Sequence, residues 1–98
     1  MLKHLNITIR GRVHGVGFRY SAHDAAFELN LLGFVCNQSD GSVYAEVEGE
    51  EAQLQQFVEW CKKGPATAKV TDVIANEDTF KKFVRFEIRK TGLRRAPS

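Results

Sequence analysis

Residues 5–13 alternate strictly between apolar and polar, and a glycine-rich run then breaks the pattern. Leu5, Ile7, Ile9 and Val13 point one way, and Asn6, Thr8, Arg10 and Arg12 point the other. That period of two is a half-buried strand. From Phe18 onward the period changes. Ala22, Ala25, Ala26, Leu29 and Leu32 recur at helical spacing, which predicts a helix from about Phe18 to Leu31, closed by Gly33. Between the two lies Gly11-Arg12-Val13-His14-Gly15-Val16-Gly17-Phe18-Arg19. A strand running through closely spaced glycines into a helix turns successive backbone N–H groups toward one concave spot. The positive end of the helix faces the same spot. Arg19 adds a planar fork suited to phosphate. The local expectation is a small phosphate-binding cup with one arginine wall.

The remaining chain fixes the architecture. Phe34 to Gln38 reads as a second strand, Ser39-Asp40-Gly41-Ser42 as a hairpin turn, and Val43, Ala45 and Val47 as the inward face of a third strand. Leu54, Phe57, Val58 and Cys61 form the apolar face of a second helix that begins after Gly49 and ends at Gly64-Pro65. Lys69 to Asn76 is a fourth strand, and Val84, Phe86 and Ile88 mark a fifth. The order β-α-β-β-α-β is the ferredoxin-like, split βαβ arrangement, here with an additional C-terminal strand. The expected class is α+β: a two-layer α/β sandwich with both helices on one face of a mainly antiparallel sheet. In that topology the first and third strands pair centrally and the second pairs with the third. Asn37 then reaches the rim beside the glycine run.

Ninety-eight residues make one domain. The expected division is a folded domain over residues 1–89 and a basic, disordered tail over 90–98. The formal charge is +2, but Arg89, Lys90, Arg94 and Arg95 sit at the C-terminal end. Without those four, ten basic residues face twelve acidic ones, so the body is slightly acidic. A nucleic-acid surface would need a basic stripe on the domain itself. No apolar run reaches the roughly 20 residues of a membrane span, and the N-terminus lacks a signal-peptide core. The expectation is a cytoplasmic monomer that binds neither nucleic acid nor membrane, with Cys36 and Cys61 as mostly buried thiols.

The glycine run fits neither common nucleotide motif. A P-loop needs Lys followed by Ser or Thr, and a dinucleotide fingerprint needs a third glycine where Tyr20 stands. Without Arg19 it would read equally well as a plain turn. Asn37, by position alone, reads first as a turn-forming residue; its amide can also hold a water and a substrate oxygen together. His14 has the residue type of a general base but sits in a polar loop, where a hydrogen-bonding role is commoner. His4 and His23 read as surface residues, and Ser21 as a local cap with Asp24 three positions on. Glu46, Glu48, Glu50 and Glu51 read as a solvated cluster, Trp60 as packing, and Cys36 as an unactivated strand cysteine. The three histidines have no metal-ligand spacing, so neither a metal nor another cofactor is expected.

A phosphate cup with Arg and Asn, but no clear acid or base, suits an acyl phosphate. Its carboxylate leaving group, with a conjugate-acid pKa of roughly 4, departs without protonation. The site then has to position water and stabilise charge on the phosphoryl oxygens.

The same residues carry a family resemblance. Gly11 through Arg19 resembles the signature of the acylphosphatase family, and Gly33-Phe34-Val35-Cys36-Asn37 with Ser39-Asp40-Gly41-Ser42-Val43 resembles its second signature. Gly49, Gly64-Pro65 and Phe86-Glu87-Ile88-Arg89 also fit, so the resemblance spans about residues 5–89. It implies metal-independent hydrolysis of the carboxyl–phosphate bond of a small acyl phosphate, releasing inorganic phosphate. It implies that Arg19 binds the phosphate and Asn37 orients the attacking water. Backbone amides of His14, Gly15, Val16, Gly17 and Phe18, through Arg19, would complete the cradle. His14 and Cys36 depart from the family's usual Gln and basic residue. Two rivals remain on the same architecture: a single-strand RNA-binding module, which would need exposed aromatics on the central strands, and a non-catalytic phosphate-sensing domain.

Overall fold

The computed structural model describes residues 1–91. Five strands and two helices follow in the order β1 (Leu2–Arg12), α1 (Phe18–Glu28), β2 (Leu32–Asn37), β3 (Val43–Glu50), α2 (Glu51–Lys63), β4 (Lys69–Asp78) and β5 (Phe86–Thr91). The sheet order is β4-β1-β3-β2-β5. All pairings are antiparallel except β2 with β5, which is parallel. Both helices cover one face, giving the expected α+β ferredoxin-like sandwich.

Alternation along the strands builds the core. Ile7, Ile9, Val35, Val43, Ala45 and Val47 are buried beneath Phe18, Ala22 and Ala26 of α1 and Leu54, Phe57 and Cys61 of α2. Fully burying one such aliphatic or aromatic side chain contributes roughly 1.5–3 kcal/mol. Trp60 is half-buried, stacks on Phe57 and meets the edge of Phe18. These contacts pin the start of α1 against α2.

Some element boundaries differ from the sequence expectation. The first helix stops at Glu28, not Leu31, because Asn30 takes the left-handed conformation at φ 58° and turns the chain there. Gly33 therefore does not close the helix; it lies in β2 at φ 141°. A Cβ at that position would overlap the carbonyl oxygen of Glu46 on β3, so Gly33 allows β2 and β3 to approach. At the other end Ser21 is not a cap. Gly17 is the N-cap residue in left-handed conformation, without a side-chain cap, and Ser21 lies inside the helix with its amide bonded to the Gly17 carbonyl. Strand β5 includes Lys90 and Thr91, and the expected tail from residue 92 onward lies outside the described residues.

The larger correction concerns the sheet face opposite the helices. His4, Glu46 and Glu48 were expected at the surface, and all three are buried. The connection between β4 and β5 folds over them. Glu48 accepts from the amides of Lys81 and Phe83, while Lys81 Nζ donates to Glu46 at 3.0 Å. Phe83 stacks on the His4 ring and meets the edge of Phe34. His4 Nδ1 lies 2.7 Å from Glu48, and Nε2 lies 2.7 Å from Asn6 Oδ1, so both ring nitrogens face acceptors. The carboxylates are buried with partners, which is the condition under which burial is tolerated. His23, by contrast, is partly exposed. Tyr44 is only half-buried, and its hydroxyl donates to Glu46 at 2.8 Å.

Candidate active site

The fold brings the glycine run and Asn37 to one end of the sheet. Ile9 on β1 and Asn37 on β2 both pair with Val43 on β3. Asn37 is thus two strand spacings, about 10 Å, from β1 where that strand enters the glycine run. Asn37 follows Val35 by two residues, which turns it to the helix-covered face. A cavity of about 200 Å³ opens there, lined by Val13, Gly15, Gly17, Phe18, Arg19, Tyr20 and Asn37.

The loop has the backbone that an anion cup requires. Gly15 and Gly17 lie at φ 69° and 76°, left-handed conformations that cost a residue with a Cβ about 1–2 kcal/mol. The amides of Gly15 through Tyr20 donate to no protein acceptor among the described residues. The first turn of α1 carries no acidic side chain, leaving the positive end of the helix uncompensated. Arg19 is half-buried, and its Nη1 donates to the carbonyl oxygen of Arg89 on β5 at 2.8 Å. The guanidinium has five N–H donors in total, so one tether still leaves a fork for a ligand.

The expected site residues separate on inspection. Gly15, Gly17, Phe18, Arg19 and Asn37 line the cavity together. Val16 packs against the hydrophobic core through its side chain, and its carbonyl accepts from Thr67 Oγ1 at 2.7 Å. His14 turns its ring away: Nε2 lies 2.8 Å from the carbonyl oxygen of Ser42. A carbonyl only accepts, so Nε2 carries the proton and only Nδ1 keeps a basic lone pair. Tyr20 and Val13 complete the lining without having been singled out. For Tyr20 the signal was its place beside Arg19 in the first turn of α1. The tether to Arg89 spans 70 residues and has no local signature.

The alternatives elsewhere are poorer. A larger cleft of about 540 Å³ between α1 and α2 is lined by Ser21, Asp24, Glu28, Gln56 and Trp60 among others. It has two carboxylates and no basic side chain, which opposes an anionic ligand. Among the described residues, no group of three or more His, Cys, Asp or Glu is placed to hold a metal ion. Cys36 and Cys61 are both buried, and burial pushes the Cys61 thiol well above its ordinary range. No described helix is long and apolar enough to cross a membrane.

Fold and site together define a two-layer α/β sandwich with a polar cavity at a strand–loop–helix junction. The acylphosphatase family model matches residues 5–88. A relative named acylphosphatase from Syntrophobacter fumaroxidans is 45% identical over 84 residues, covering 85% of this chain and 87% of that protein. The crystal structure of acylphosphatase from Bacillus subtilis superposes with a TM-score of 0.87 at 42% identity, covering 91% of this chain and 99% of that one. The acylphosphatase structure from Coxiella burnetii gives a TM-score of 0.88 at 34% identity, covering 90% and 93%. The chain belongs to the acylphosphatase family.

Proposed function

We propose that this protein hydrolyses the carboxyl–phosphate bond of acyl phosphates, without a metal, to a carboxylate and inorganic phosphate. The observation that carries the proposal is the shared cavity of Gly15, Gly17, Arg19 and Asn37. The loop amides and the free edge of the Arg19 guanidinium bind the phosphoryl oxygens. These donors are fixed before substrate arrives, so they stabilise developing charge without reorganising. Asn37 accepts from the attacking water through its carbonyl oxygen and so aims the water's lone pair at phosphorus.

The water oxygen forms the new bond to phosphorus, and the bond from phosphorus to the acyl oxygen breaks. The electron pair leaves on the carboxylate, which needs no proton at neutral pH. The water proton passes to a phosphoryl oxygen. No side chain is assigned as general base, since the cavity lining carries no carboxylate or imidazole. Metal independence is supported by the lining, which has Arg19 as its one charged side chain and no carboxylate, imidazole or thiol.

The test is hydrolysis of acetyl phosphate by the purified chain, with and without a chelator. Equal turnover in both is expected. Loss with the chelator and recovery with added metal would overturn metal independence, and absence of turnover in both would overturn the activity.

A further inference from the structure

The ring of His14 reaches outward from the glycine run to the β2–β3 turn beside Asn37, and its target is well built. Ser42 is buried at the foot of the β2–β3 turn. Its carbonyl oxygen accepts twice, from His14 Nε2 at 2.8 Å and from the amide of Gln38 at 2.9 Å. Gln38 is the residue after Asn37. The turn is held from its own side as well. Asp40 Oδ1 accepts from the Ser42 amide at 2.9 Å and from Ser42 Oγ at 2.6 Å, while Gln38 Nε2 donates to Ser42 Oγ at 3.1 Å. These bonds also hold the Asp40 carboxyl below its ordinary range, so it stays an acceptor. One carbonyl oxygen thereby joins the loop that carries the amides to the turn that carries Asn37.

We propose that the His14 side chain is a positioning residue for hydrolysis. It sets the spacing between the glycine loop and Asn37, and so the line from the held water to phosphorus. It touches neither phosphate nor water. A glycine loop with left-handed residues on both sides of Val16 has little intrinsic stiffness, so a side-chain tether is a physical means of fixing it. Misplacement of reacting groups by about 1 Å costs on the order of 10²-fold in rate, so even a partial loosening is measurable.

This inference rests on the function proposed above, and a double-mutant cycle separates the two. The kcat for acetyl phosphate and the inhibition constant of inorganic phosphate are measured for His14→Ala, His14→Gln, Asn37→Ala and the double variant His14→Ala/Asn37→Ala. Thermal unfolding establishes that each is folded. His14→Ala is expected to lower kcat by about 10-fold or more, with phosphate inhibition nearly unchanged. His14→Gln should retain most of the activity, because its amide N–H reaches a similar distance along the side chain. In the Asn37→Ala background, adding His14→Ala should lower kcat by less than about 3-fold, because groups that act as a unit are not additive. Equal fold-losses in both backgrounds, or a kcat unaffected by His14→Ala, would overturn the positioning role and leave the proposed function standing. Full activity in Asn37→Ala would overturn the water-holding role of Asn37 and with it the positioning role of His14, while the hydrolysis itself would stand.

Discussion

Arg19 reaches from the first turn of α1 to the carbonyl oxygen of Arg89 on β5, with Nη1 2.8 Å from it. The two residues are 70 positions apart, and the contact fixes the guanidinium plane at the cavity wall. Arg89 is itself held. Its guanidinium lies over the Phe34 ring at 3.9 Å and donates to Glu87 through Nε and Nη2.

If Arg19 binds phosphate as proposed, that tether should make Arg19→Lys nearly as damaging as Arg19→Ala. A lysine ammonium is a compact point charge; it cannot bond the Arg89 carbonyl and present a planar fork at once. A loss of about 10²-fold or more in kcat is expected for both, comparable to deleting a preorganised charge stabiliser. Steady-state kinetics on acetyl phosphate check this. Near-normal turnover in the lysine variant would mean that the loop amides suffice.

Inorganic phosphate should inhibit competitively. In the proposed mechanism the cup would recognise the phosphoryl oxygens, which substrate and product share. Purely noncompetitive inhibition would place the anion site elsewhere.

Glu48 links pH to stability rather than to catalysis. Burial opposes its ionisation, but the Lys81 amide, the His4 ring and the Phe83 amide outweigh burial and hold the carboxyl below its ordinary range. Its stabilising contribution is therefore complete above the ordinary Glu value of about 4.3 and is lost as pH falls through the lower folded value. Glu48→Gln should cost about 1–3 kcal/mol at pH 7, since it weakens three hydrogen bonds to a buried acceptor. The penalty should shrink as pH falls below the ordinary Glu value of about 4.3 and through the lower folded value, where the wild-type carboxyl becomes protonated. Denaturant unfolding across this range checks it; a penalty independent of pH would mean that Glu48 acts only by shape.

The sequence made most of this arrangement legible for a local reason. Strand period, helix period and the glycine junction are near-neighbour signals that place Gly15, Gly17 and Arg19 together, whereas Asn37 came to the rim only through the split βαβ pairing and drew its expected role from the family resemblance. His4, Glu46 and Glu48 were misplaced because alternation assigns them to the open face of the sheet. Nothing in the polar stretch Asp78-Thr79-Phe80-Lys81-Lys82-Phe83 announces that it folds back across that face. The end of α1 was missed because Asn30, not a glycine, takes the left-handed position. The bonds from Arg19 to Arg89 and from His14 to Ser42 join segments 70 and 28 residues apart, beyond any window of local pattern.

The division of labour between cradle and water is tested most directly at Asn37. The measurement is kcat for acetyl phosphate together with the inhibition constant of inorganic phosphate, in wild type, Asn37→Ala and Asn37→Asp, each confirmed as folded. In the proposed mechanism the loop and Arg19 would hold the phosphoryl group in both ground and transition states, whereas Asn37 would act on the water as it attacks. Asn37→Ala should therefore lose about 10²–10³-fold in kcat, on the scale of one oriented hydrogen-bonding group, while phosphate still binds. Asn37→Asp should not rescue turnover, because its carboxylate repels the phosphate dianion. Near wild-type turnover in Asn37→Ala, or equal loss of turnover and phosphate binding, would contradict the assignment.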